Sequence, residues 1–265
     1  MTRGIPRLKE LIHVSKNIKS PSTIINLNDE YSTNDQHANY AKNYLEYVLL
    51  KDVVLQSAIY YDPDNYRDVS LIDEDNNMLE IYKEFVELEY DQSEIENIHT
   101  YPWIIRMVFD KQTMMEKGIV MEDIYLAIMK YDEDKIFFKF TDDNSKNLIA
   151  RISIASEAAS SNGIQDQTDI INTFKNINND ILNNVSIKGV HNITDIMIDK
   201  ETKTFNNGDT ITKNTLITDG INLLEIFNQD IVDFTNTFSN DIIEMFDVLG
   251  LSLIHILTLP TKRIV

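Results

Sequence analysis

Cysteine is absent from this 265-residue chain. That excludes disulfides and thiolate metal sites, and it fits a reducing compartment. Glycine is scarce, seven in all, and none stands in a G-x-x-x-x-G-K or G-x-G-x-x-G pattern, so no loop is set up to cradle phosphates. No run of about 18 apolar residues occurs, so a membrane span and a membrane partner are not expected. No apolar signal region opens the chain. The five histidines show no H-x-x-x-H spacing, and no serine or threonine has a nucleophile context. What remains is 43% hydrophobic and 25% charged, the composition of a folded globular chain.

Charge is the strongest signal. The chain carries a formal −19, yet its opening reverses the sign. Arg3, Arg7, Lys9, Lys16 and Lys19 face only Glu10 there, a local charge of about +4 against about −23 for the rest. Such a reversal points to a polyanion contact at one end. The pattern predicts a basic helix. Pro6 fits a first turn, where its missing N–H is harmless. Glu10 lies towards the positive end of the helix dipole, as a first-turn acid, and Lys16 and Lys19 towards the negative end. Pro21 stops the run. Leu8, Leu11 and Ile12 mark a packing face, and Lys9, His13 and Lys16 fall on another.

Further on, 23–27 reads as a short strand, 35–50 as a helix and 51–61 as a strand closed by the turn Asp62-Pro63-Asp64-Asn65. An acidic stretch with mixed signals spans 64–96. A strand over 103–110, a helix over 121–130 and a strand pair over 135–140 and 148–154 follow. Residues 155–167 read as a loop, 170–182 as a helix and 185–198 as strand-like. A hairpin-type turn over 202–208 and helices at 223–227 and 240–249 complete the order. This irregular alternation predicts an α+β fold with short antiparallel strands.

The opening residues also carry a resemblance. Gly4-Ile5-Pro6-Arg7-Leu8-Lys9-Glu10, followed by Lys16-Asn17-Ile18-Lys19-Ser20-Pro21-Ser22, resembles the second helix of the trigger loop in the largest subunit of multisubunit DNA-directed RNA polymerases, of the eukaryotic RNA polymerase II and large-DNA-virus type. Further blocks stand in family order: Ala58-Ile59-Tyr60-Tyr61-Asp62-Pro63, Pro102-Trp103-Ile104-Ile105-Arg106 with Asp110 and Met121-Glu122, and Asp143-Asn144 with Leu148-Ile149 and Arg151. Gly189-Val190, Thr218-Asp219-Gly220-Ile221-Asn222-Leu223, Ser239-Asn240-Asp241-Ile242 and Val248-Leu249-Gly250 close the series. The resemblance implies a trigger-loop arm and cleft segment over 1–63, a jaw domain inserted over 64–216, and a return to the cleft over 217–250.

Residues 251–256 resemble an in-frame translation of a transposon end used in sequencing-library preparation, and 257–261 the adapter after it. The tail 251–265 is therefore expected to be non-native, and Met1 to be an internal methionine or the mark of a broken gene.

The resemblance also implies roles. Lys9, Lys16, Asn17 and Lys19 would contact phosphates of downstream duplex DNA, positioning it without reading bases. Three lysines would give a log–log salt slope near −3. Gly4 would be a hinge, with Pro6, Arg7, Leu8 and Glu10 forming the moving arm and Glu10 stabilising its open state. Partners would be other polymerase subunits, downstream DNA and elongation factors at the jaw. The location would be the nucleus in a cell, or a virus factory or virion.

No catalytic residue is expected here. The magnesium-binding Asp-Phe-Asp-Gly-Asp motif of the full polymerase is not among these residues, so no cofactor is expected in this stretch. Carboxylates at Asp62/Asp64, Asp73-Glu74-Asp75 and Asp142-Asp143 raise a metal reading, but none matches an EF-hand loop, and each lies in a turn or polar run. Trp103 is expected to be a buried strand anchor. Two rival readings are a free-standing acidic interaction module and an acidic metal-dependent hydrolase with converging carboxylates.

Overall fold

Two antiparallel four-stranded sheets organise the chain in a computed structural model that describes residues 5–62, 70, 72–89, 100–131, 136–155, 167–204 and 210–250. In chain order the elements begin with α1 (Ile5–His13), β1 (Thr23–Asn26), α2 (Asp29–Ser32), α3 (Asp35–Leu45), β2 (Val48–Leu49), α4 (Leu50–Val53) and β3 (Val54–Tyr61). There follow α5 (Asp73–Glu89), β4 (Thr100–Phe109), α6 (Lys111–Lys117), α7 (Met121–Tyr131), β5 (Ile136–Phe140) and β6 (Leu148–Ala155). The last are α8 (Gln167–Asn184), β7 (Ser186–Lys188), β8 (Asp195–Thr204), β9 (Thr210–Asp219), α9 (Leu223–Phe227), β10 (Phe238–Ser239) and α10 (Ile242–Leu249). The fold is α+β. It divides into one compact unit of Met1–Val48 with Lys188–Val265, and another of Leu49–Ile187.

In the first unit the sheet runs β10-β1-β9-β8. Helix α3 covers it through Ala38, Ala41 and Leu45, which recur at i, i+3 and i+7 and are fully buried. They meet Ile25, Ile196 and Leu216 from the strands. Asn34 starts this helix by accepting the Gln36 N–H. The helix stops at Leu45, short of the expected residue 50, because Glu46 is extended. The expected strand over 185–198 is broken in two. Gly189 (φ 91°) and Asn192 (φ 68°) put a turn between β7 and β8. A Cβ on Gly189 would lie 2.0 Å from the Glu46 carbonyl oxygen, so only glycine fits.

In the second unit the sheet runs β3-β4-β6-β5. The expected strand 51–61 begins with the short helix α4 and becomes strand at Val54. Strand β4 is interior to the sheet, and the successive residues Ile104 and Ile105, which point to opposite faces, are both fully buried, as is Met107. Helix α8 packs on β3 and β4, burying Phe174 and Ile181. Asp110 caps α6 by accepting the Gln112 N–H, and Gly118 ends it in the left-handed region. The acidic stretch with mixed signals contains the 17-residue helix α5.

Candidate nucleic-acid interface

Helix α1 is shorter than its charge pattern predicts. It ends at His13, where Val14 takes a left-handed φ of 46°. The Ser15 N–H reaches the Glu10 carbonyl at 3.1 Å, a closing bond of the Schellman type. The expectation of one helix through Lys19 is therefore corrected. Val14, Ser15 and Asn17 are weak helix formers, and the chain beyond is drawn into the sheet unit. His13, not Lys16 or Lys19, is the basic residue in the last helical turn.

Two further expectations change. Leu11 alone of the predicted face packs, against Leu223, Ile242 and Met245; Leu8 and Ile12 are 54% and 67% exposed. Glu10 is the sixth helical residue, beyond the first turn. Its Oε2 lies 3.2 Å from Arg7 Nη1, while Arg7 Nη2 donates to the Asn240 carbonyl. Pro6 stands in the first turn and is exposed, and Gly4 lies outside the described residues.

The cations are presented to solvent. Lys9, Lys16, Asn17 and Lys19 are all exposed. Lys16 and Asn17 border a depression of about 320 Å³ shared with Gly220 and Asp241.

Behind them the chain is clasped. The side chain of Asn240 accepts the Ser22 N–H at 3.0 Å and donates to the Ser20 carbonyl at 2.7 Å. Gly220 N–H donates to the Pro21 carbonyl at 2.9 Å. The Thr218 hydroxyl accepts the Thr23 N–H at 2.9 Å and donates to the Gly220 carbonyl at 2.8 Å. The sequence blocks around 218–223 and 239–242 thus converge on 20–23. Sequence reasoning singled out those blocks without seeing their joint purpose. Asn240 itself was the missed residue, since nothing local distinguishes a clasping asparagine from a turn residue.

In the second unit three of the carboxylates singled out for metal, Asp62, Glu74 and Asp75, bind arginine. Arg151 is 1% exposed. Its Nη2 donates to Asp62 Oδ2 at 2.7 Å, and its Nη1 to Ser70 Oγ at 2.6 Å and Asp75 Oδ2 at 3.0 Å. Arg106 Nε reaches Asp75 Oδ1 at 3.0 Å, and its Nη2 reaches Glu74 Oε2 at 3.0 Å. Asp143 Oδ1 accepts the Met121 N–H at 2.9 Å, at the start of α7. Asp64 lies outside the described residues.

The family described as RNA polymerase Rpb1, domain 7, matches residues 48–188. Those limits fall within one residue of the compact unit Leu49–Ile187 at either end. The chain belongs to this family. It is part of the largest subunit of a DNA-directed RNA polymerase, a nucleotidyltransferase, and other polymerase subunits are its partners.

Polymerase chemistry calls for magnesium, and the described carboxylates of domain 7 are not arranged to hold it. Among the described residues no three His, Cys, Asp or Glu side chains group to hold a metal, and the buried Asp62 and Asp75 already neutralise guanidinium groups. Trp103 of domain 7 is half-buried rather than a core anchor. It meets Tyr61 edge-on, ring centres 5.0 Å apart, while its neighbours Ile104 and Ile105 fill the core.

Proposed function

We propose that this chain comes from an RNA polymerase II-like enzyme of a eukaryote or a large DNA virus. It runs from the C-terminal arm of the trigger loop, through a cleft segment, to the jaw and back. The arm gates nucleotide addition and lays lysines along downstream duplex DNA, and the body supports that DNA and meets other subunits or elongation factors. Magnesium-dependent phosphoryl transfer belongs to other segments of the subunit. The setting is the nucleus for a cellular enzyme, and a virus factory or virion for a viral one.

One observation carries this reading. The segment with about +4 on a −19 chain holds Lys9, Lys16 and Lys19 exposed, while Arg7 and Asn240 tether it to the fold. Of the carboxylates the hydrolase reading needs to converge, Asp62 is taken by Arg151.

The test replaces Lys9, Lys16 and Lys19 with glutamine in the assembled polymerase and measures affinity for downstream duplex across salt concentrations. Removing three phosphate contacts is expected to flatten the log–log slope by about 3. An unchanged slope would remove the lysines from the DNA path.

A further inference from the structure

A groove lies in the second unit, away from the basic arm in sequence. It has a volume of about 660 Å³ and runs between α5 and the 140–147 turn. Its lining is largely apolar: Met78 and Ile149 are buried, and Phe140 and Tyr82 meet edge-on with ring centres 6.4 Å apart. Ile81 lines the groove and is 55% exposed, so its side chain is available to an occupant. The groove's size lies within the range of about 300–1,000 Å³ typical of ligand-binding clefts.

The rim sets the chemistry of an occupant. Glu74 is fixed by Arg106 through Oε2 yet its side chain stays 62% exposed. Asp142 is also exposed on the facing turn. Among the described residues Lys146 is the one cation lining the groove. On a chain of −19, this rim repels nucleic acid and attracts a basic polypeptide.

Hydrogen-bonding groups are arranged for a peptide seated by its side chains. The Phe140 N–H, on the outer edge of β5, is taken by the Tyr82 hydroxyl oxygen at 3.2 Å. That blocks strand addition at this point and leaves the Tyr82 proton to donate to a peptide carbonyl. The exposed amides of Asn77 and Asn147 lie along the same rim.

We infer that this groove is a docking site for a short protein segment with one large apolar side chain flanked by lysine or arginine. The segment belongs to another protein of the transcription machinery. Its apolar side chain lies on Met78, Tyr82 and Phe140 against Ile81, and its cations face Glu74 and Asp142. The inference needs only membership of the polymerase family and stands apart from the role of the arm.

The test records backbone amide shifts of the full chain titrated with the capped tripeptides Lys-Phe-Lys and Glu-Phe-Glu, and with a single-stranded oligothymidylate. Lys-Phe-Lys is expected to move the amides of Asn77, Ile81, Phe140 and Asn147 and to bind at least about fivefold more tightly than Glu-Phe-Glu. Ile81→Asp, at an exposed position, is expected to abolish those shifts while the remaining spectrum is retained. Glu74→Gln with Asp142→Asn is expected to erase the charge preference. No shift at these amides, an equal response to both tripeptides, indifference to Ile81→Asp, or a response to the oligonucleotide at the same amides would each overturn the assignment.

Discussion

Arg106 and Arg151 stand directly opposite one another on the adjacent antiparallel strands β4 and β6, and Asp75 of α5 bonds to both. Two like charges face to face on neighbouring strands are destabilising, so the helix carboxylate is what permits the pair. Asp62, from the end of β3, adds a second acceptor to Arg151. The network therefore fastens three strands and a helix of the second unit around one buried charge cluster.

Asp75→Asn should be among the most damaging single changes in this unit. The substitution preserves shape and leaves two buried guanidinium groups short of a countercharge. Breaking a buried ion pair from one side costs about 3–5 kcal/mol. Denaturant unfolding of the parent and variant chains measures the difference, and a loss below about 1 kcal/mol would put the cluster among ordinary surface pairs.

Gly220→Ala and Gly250→Ala should separate cleanly. Gly220 has φ 100° and an added Cβ would sit 1.8 Å from the Asn192 carbonyl oxygen, whereas Gly250 has φ 64° and nothing within 4 Å. The first change strains backbone and displaces a neighbour, with an expected loss above about 2 kcal/mol. The second meets only the left-handed penalty of about 1 kcal/mol. Amide exchange at Ser22 and Thr23 should accelerate in the first variant alone, because the Gly220 turn holds that segment.

Elements with a strong local pattern were legible from the sequence. The 121–130 helix and the 135–140 and 148–154 strand pair appear within a residue or two of their observed limits. Where tertiary contacts decide, local reading failed. Lys16 and Lys19 look helical by charge, but hydrogen bonds from residues over 200 positions away, at Asn240, set the path of Ser20 and Ser22. Asp62 and Asp75 look like metal ligands by composition because their arginines lie 31 to 89 residues away. The cations of the arm were readable as exposed, since a lysine-rich face without apolar interruption has no core to enter.

Glu244 should make the first unit less stable as pH rises through the mildly acidic range. Burial raises its carboxyl above the ordinary value of 4.5, Asp241 adds to the rise, and the Leu223 N–H bond opposes it. A carboxyl raised by folding binds more protons in the folded chain, so its contribution is full below 4.5 and is lost as pH climbs through the raised value. Asp110 and Asp233 behave oppositely. Both are lowered, chiefly by the Thr113 and Thr235 hydroxyls, so their contributions hold above 3.8 and vanish as pH falls. Glu244→Gln keeps an oxygen for the Leu223 N–H and removes the titration. The variant should gain on the parent near neutral pH, and the gap should close towards about pH 4, in denaturation series at the two conditions.

Glu10 offers the sharpest test of the arm as a moving part. Its carboxylate holds Arg7, and Arg7 donates to the Asn240 carbonyl, so the pair ties the helix to the clasp around residues 20–23. Glu10→Gly in the assembled polymerase should favour the closed arm, speeding elongation and raising misincorporation. Glycine also weakens the helix itself by about 1 kcal/mol, which would confound the result. Glu10→Ala removes the carboxylate without that penalty, and Arg7→Ala removes the tether while Glu10 stays. If the tether sets the balance, all three variants raise misincorporation in single-nucleotide addition assays. If only Glu10→Gly does, helix propensity is the cause and the Arg7–Glu10 pair has no part in gating.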